Sequence, residues 1–116
     1  MNLTSEHDEF LRALRDLERG LDQVAEAVDD MRQRIRFLES AADAGHKLRD
    51  SVPMEHSPML VQLLTQTTEL LQSYGNRVRT TEAQALYSEG LTMDEIARLF
   101  GVSRQRVSTL LRSKSE

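Results

Sequence analysis

EAQALYSEGLTMDEIARLFGVSRQRVSTLLR, residues 82–112, is the stretch whose reading decides the fold. Its punctuation marks three helices. Thr80 or Thr81 is placed to cap the first and Gly90 to stop it. Thr92 and Glu95 form a T-x-x-E capping box, opening a second helix whose apolar positions are Ile96, Leu99 and Phe100. Gly101 permits the left-handed backbone of a sharp turn, and Ser103 caps a third helix with Val107, Leu110 and Leu111 inward. Two helices crossing steeply need a small residue at closest approach, here Ala97. Branched apolar residues at Val102, Val107 and Leu110 then close the wedge. Centring Val107 on the buried face and advancing about 100° per residue turns Gln105, Thr109 and Arg112 outward, flanked by Arg106 and Ser108.

This pattern resembles the DNA-binding helix-turn-helix. LTMDEIARLFGVSRQRVSTLL, residues 91–111, is similar in particular to the fourth region of bacterial sigma factors and to related response-regulator and phage-repressor modules. The resemblance covers residues 82–112 and implies that the third helix enters the major groove. It also implies that the positions matching Arg104, Gln105, Ser108 and Thr109 face the bases, which adds Arg104 to the outward set of Gln105, Arg106, Ser108, Thr109 and Arg112. In a groove, Gln pairs with adenine N6/N7, Arg with guanine O6/N7, and a Thr methyl touches thymine. Gln105 and Ser108 stand where sigma factors usually carry an acid and an arginine, so the promoter element those factors read is not implied. Ser103, Arg77, Arg79 and Lys114 are placed for phosphates rather than bases.

Upstream, apolar residues recur at alternating spacings of four and three: Leu14, Leu17, Leu21, Val24, Val28, Met31, Ile35, Leu38 and Ala42. That is a heptad seam. Leu14, Leu21, Val28 and Ile35 take a, with His7 extending that row; Leu17, Val24, Met31 and Leu38 take d, with Leu3 and Phe10 before them. Ser5 is placed as N-cap ahead of an acidic first turn, and Gly45 as the stop. A helix from about residue 6 to 44 is roughly 60 Å long, more than the rest of the chain covers on one face, so a second copy is expected to supply the partner. Arg34 at g would face Glu39 at e of a parallel partner. Ala13, Gly20, Ala25 and Ala27 at other flanking sites allow close approach, or a third and fourth helix, so a tetramer competes with a dimer.

Residues 45–57 lose the seam and contain Pro53, which reads as a linker. Ser57-Pro58 reads as an N-cap followed by an N1 proline. Leu60, Leu63, Leu64, Thr67, Leu70, Leu71 and Tyr74 then form an amphipathic helix ended by Gly75. His46 with Asp43 and Asp50 reads as solvated polar residues at a fraying end rather than as metal ligands, and His7 as a polar residue in the seam rather than a base. The expected divisions are therefore 1–45, an oligomerisation helix; 46–57, a linker; 58–75, a connecting helix; and 76–116, the helix-turn-helix.

Composition bounds the rest. In 116 residues there is no Cys or Trp and only two Pro, which argues against disulfides, zinc knuckles and β-sandwiches. The net charge of −4 is unevenly spread: residues 1–75 hold 8 Lys/Arg against 14 Asp/Glu, and residues 76–116 hold 7 against 5. No nucleophile–base pair, metal cluster or phosphate loop points to an enzyme, and no cofactor is implied. The acidic N-terminus lacks the apolar core of a signal peptide, and no apolar run suits a membrane, so a cytoplasmic, nucleoid-associated location is expected. The expectation is an all-α homodimer whose long N-terminal coiled-coil-type helix joins two C-terminal trihelical helix-turn-helix units on double-stranded DNA, acting as a bacterial or phage transcriptional regulator. The competing reading is an adaptor whose acidic helix binds RNA polymerase, a sigma factor or a phage assembly component.

Overall fold

The computed structural model describes residues 3–55 and 58–113. Its elements are α1 (Leu3–Asp43), α2 (Leu48–Ser51), a 3-10 turn (Val52–Met54), α3 (Leu60–Ser88), α4 (Met93–Phe100) and α5 (Arg104–Arg112). Among the described residues there is no strand, and no helix is long and apolar enough to cross a membrane. The chain divides into two compact units: Met1–Arg19 together with Gln72–Glu116, and Gly20–Leu71. α1 and α3 each supply both units, so this division falls inside helices and not at 45, 57 and 75.

α1 ends as its glycine dictates. Gly45 takes a φ of 85°, the Gly45 amide donates to the Ala42 carbonyl and the His46 amide to the Ala41 carbonyl, a Schellman closure. Ser5 lies inside α1 and does not cap it. At the start of α3, Ser57 lies outside the described residues and Pro58 sits in a bend. The helix opens at Leu60 instead, with the Leu60 amide donating to the Glu55 carboxylate at 2.9 Å and the Met59 amide to the Gln62 side chain at 2.7 Å. These two acceptors satisfy amides that the first turn leaves open.

Gly75 does not end α3, which runs unbroken for 29 residues. A glycine inside a helix costs about 1 kcal/mol relative to alanine, and at Gly75 the space serves a neighbour. A Cβ there would meet a guanidinium nitrogen of Arg79 at 2.9 Å, so the side chain one turn on lies over the bare backbone. Thr80 and Thr81 are likewise interior residues and not caps. Both are buried, and the Thr81 hydroxyl donates to the Arg77 carbonyl one turn back at 2.8 Å.

The heptad seam is split between two surfaces. The most withdrawn row on α1 is the expected flank, g: Glu6, Ala13, Gly20 and Arg34 are buried and Ala27 and Ala41 half-buried. The d residues Leu17, Val24, Met31 and Leu38 are half-buried beside it, whereas the a residues Leu14, Leu21, Val28 and Ile35 are exposed. The reason lies in the same chain. Small side chains at 13, 20, 27 and 41 let another helix approach closely. Among the described residues of Gly20–Leu71 the other long helix is the first part of α3, whose most withdrawn row is Leu63, buried, with Leu60, Thr67 and Leu70 half-buried. In the other unit, Arg77 of α3 pairs with Asp16 of α1. Within the chain the d row is thus partly withdrawn from water, while the a row stays exposed.

Asp16 also accepts from Arg19 at 2.5 Å, and the two guanidiniums, Arg77 foremost, hold its carboxyl below the ordinary carboxylate range. A depressed value means that the pair stabilises the fold fully above about pH 4 and ceases to do so as acid titrates the folded carboxylate. Asp16→Asn should therefore melt below the wild type at pH 7, with the difference shrinking as pH falls towards 2. An undiminished gap at pH 2 in thermal melts would contradict this account.

Candidate nucleic-acid interface

The unit that carries α5 is built from the end of α3, α4 and α5 around Ala83, Ile96, Ala97, Val107 and Leu110, with Leu86, Leu91, Met93, Phe100 and Leu111 packed against them. Ile96 and Val107 are fully buried. Each local turn is set by short-range chemistry. Gly90 takes a φ of 105° and closes α3, with the Leu91 amide donating to the Leu86 carbonyl. Thr92 and Glu95 form the reciprocal capping box: the Glu95 amide donates to the Thr92 hydroxyl at 3.1 Å and the Thr92 amide to the Glu95 carboxylate at 3.0 Å. Accepting the Thr92 amide holds the Glu95 carboxyl below its ordinary range.

Gly101 adopts the left-handed conformation at φ 68°, and the Val102 amide donates to the Ala97 carbonyl. The chain can then reverse within three residues. Ser103 opens α5 by accepting the Arg106 amide at 3.1 Å. At the far end the side-chain Nε2 of Gln84 in α3 donates to the Ser113 carbonyl at 2.8 Å, so α5 is tied at both ends.

With Val107 and Leu110 turned inward, the outer side of α5 presents Arg104, Gln105, Arg106, Thr109 and Arg112, all exposed, while Ser108 is half-buried. The helix holds no acid. The Thr109 hydroxyl donates back to the Gln105 carbonyl at 3.1 Å, which leaves its methyl group for apolar contact. Among the phosphate candidates, Ser103 already uses its hydroxyl as a cap, Arg79 is exposed, and Lys114 lies outside the described residues. Arg77 is corrected. Its guanidinium is committed to Asp16 and its Nε is buried without a hydrogen-bond partner, so it braces α3 against α1 and is not a free surface cation.

Two features escaped the sequence reading. Leu99, expected inward, is 67% exposed, and with Phe100, Val102, Arg79 and Arg106 it lines an open groove of about 280 Å³ beside α5. The signal was the spacing: an eight-residue helix has one narrow inward stripe, filled by Ile96, Ala97 and Phe100, and Leu99, three residues after Ile96 and one before Phe100, falls off its edge. Asp94, the second residue of α4, brings its carboxylate within 3.9 Å of Arg104. Only the turn's path creates that pairing. Among the described residues no group of three or more His, Asp or Glu is arranged to hold a metal ion.

In comparisons with known proteins the chain matches no family model, no curated protein and no solved structure. The site's function must therefore be argued from its own geometry.

Ser103→Ala should lower the unfolding free energy by about 1 kcal/mol through loss of the cap, and Ile96→Ala by roughly 2–5 kcal/mol through the cavity it leaves. Urea denaturation followed by helical circular dichroism measures both.

Proposed function

We propose that the end of α3 with α4 and α5 works as a helix-turn-helix that inserts α5 into the major groove of double-stranded DNA, and that the protein is a sequence-specific transcriptional regulator acting as a dimer. The observation that carries the reading is the outer face of α5. Five exposed polar or cationic side chains, Arg104, Gln105, Arg106, Thr109 and Arg112, stand on an acid-free helix whose opposite side is locked by Val107 and Leu110. Phosphate repulsion is absent from that helix although the chain as a whole carries −4. A major groove about 12 Å wide admits one helix, and Gln and Arg are the side chains that discriminate adenine and guanine there by paired hydrogen bonds. Arg79, lining the groove beside α5, supplies a phosphate contact. Two copies would present two α5 helices, and the target is then an inverted repeat with half-sites about 34 Å apart or a multiple of it.

Selection of bound sequences from random duplexes tests the reading directly. Gln105→Ala should relax preference at one base position, costing about 1–3 kcal/mol on the selected site and little on scrambled DNA. Arg79→Gln should weaken both alike and reduce the slope of log K against log salt by about one. Absence of a retarded species at low salt, on any duplex, would sink the DNA reading and leave the adaptor.

A further inference from the structure

We infer that the unit Gly20–Leu71 is one half of an intermolecular four-helix bundle, in which a second copy covers a two-helix apolar face made jointly by α1 and α3. The exposed residues Leu21, Val28 and Ile35 on α1 and Val61, Leu64 and Leu71 on α3 keep between 36% and 65% of their surface in water, and all six lie in this unit. On α1 they stand about 100° round the helix from the row buried inside the unit, Gly20, Ala27 and Arg34 with Val24 and Met31 beside it. On α3 the exposed row is also about 100° round, in the same rotational sense, from Leu60, Leu63, Thr67 and Leu70.

α3 runs back along α1. Glu55, whose carboxylate accepts the first amide of α3, lies 3.9 Å from Arg34 on α1, with both side chains largely buried, and α3 proceeds from there through the same unit. Two helices of opposite direction whose second rows are displaced in the same sense carry those rows on the same side of the pair. The six side chains therefore share one face. Two helices about 10 Å wide each, over the 15 residues from Leu21 to Ile35, make it on the order of 400 Å². That is the size at which an exposed apolar surface marks a binding site.

The occupant is a second copy of this chain. The face is two helices wide, so a single peptide helix would cover one row and leave the other wet, whereas an identical pair matches its width and closes a bundle. Arg32 and Arg36 border the α1 row, but residues 20–71 as a whole hold 5 Lys/Arg against 9 Asp/Glu and residues 60–75 carry no Lys or Arg, a balance that suits neither an anionic lipid surface nor nucleic acid. Along the rim of α3 stand uncharged Thr65, Thr68 and Gln72, neutral partners for the same residues of a two-fold mate. The choice also rests on the proposed DNA reading, in which two recognition helices must be joined.

The test is sedimentation of the full chain. Wild type should run as a dimer, about 26 kDa against 13.2 kDa for one chain. Val28→Glu on α1 and Leu64→Glu on α3 should each raise the dimer dissociation constant at least 100-fold, with helical circular dichroism unchanged because both sites are exposed within the chain. A monomeric wild type overturns the inference, and so does dissociation by Val28→Glu alone, which would indicate a two-stranded coil on α1. The chain has no cysteine, which gives a measurement independent of the folding of the charged variants. Leu64→Cys should cross-link between chains with a short bis-maleimide at least tenfold faster than Glu69→Cys, and equal rates overturn the assignment. Failure of the DNA reading is distinguishable: a dimer disrupted at both sites that retards no duplex leaves the bundle standing, whereas a monomer that retards duplex removes the bundle alone.

Discussion

Ile96 and Val107 are both sealed from water, with Ala83 of α3 and Ala97 of α4 in the same cluster, and everything that α5 offers to a partner depends on that contact. A nine-residue helix is too short to hold its own conformation in water. Its orientation comes from two apolar anchors, Val107 and Leu110, spaced three apart so that they point to one side. Once those are fixed, helical geometry leaves no choice about which residues face out. Alanine at 83 and 97 lets the three helices approach closely, and a larger side chain at either would tilt α5 and re-aim Arg104, Gln105 and Thr109 together.

The parts of this unit that could be read from the sequence are those decided within four residues. The Thr92 and Glu95 box, the left-handed glycines 90 and 101 and the Ser103 cap each satisfy amides or carbonyls that a helix end leaves open, and the structure contains every one. These interactions are local, so their signal is local. Gly75 and Thr81 carry the same residue types yet stop or start nothing. Gly75 lies under a guanidinium from the next turn, and Thr81 is buried with its hydroxyl returned to the Arg77 carbonyl. Whether a glycine ends a helix depends on what packs around it, and that information sits elsewhere in the chain.

The heptad seam is divided for a related reason. A 3-4 spacing specifies that a helix has an apolar side, and a seam centred on a and d suggests one partner. Here the smallest residues, Ala13, Gly20, Ala27 and Ala41, recur every seven positions one step before the large a row, and small residues mark the surface of closest approach. That row is withdrawn from water while the aliphatic row beside it is not. The small flanking residues, which in the sequence allow close approach or further helices, thus mark a second packing surface on α1 beside the aliphatic row.

Arg77 carries the consequence furthest. Sixty-one residues separate it from Asp16, so nothing in the stretch around it distinguishes it from Arg79, two positions away and exposed. Yet the pairing makes the opening turns of α1 part of the same compact unit as α4 and α5. A fragment beginning at residue 76 would retain every residue of the proposed reading face while removing the carboxylate that a partly buried guanidinium requires. Leaving such a charge without its partner is more costly than never having had the pair. The compact unit that contains α5 therefore includes the opening turns of α1 at the other end of the sequence.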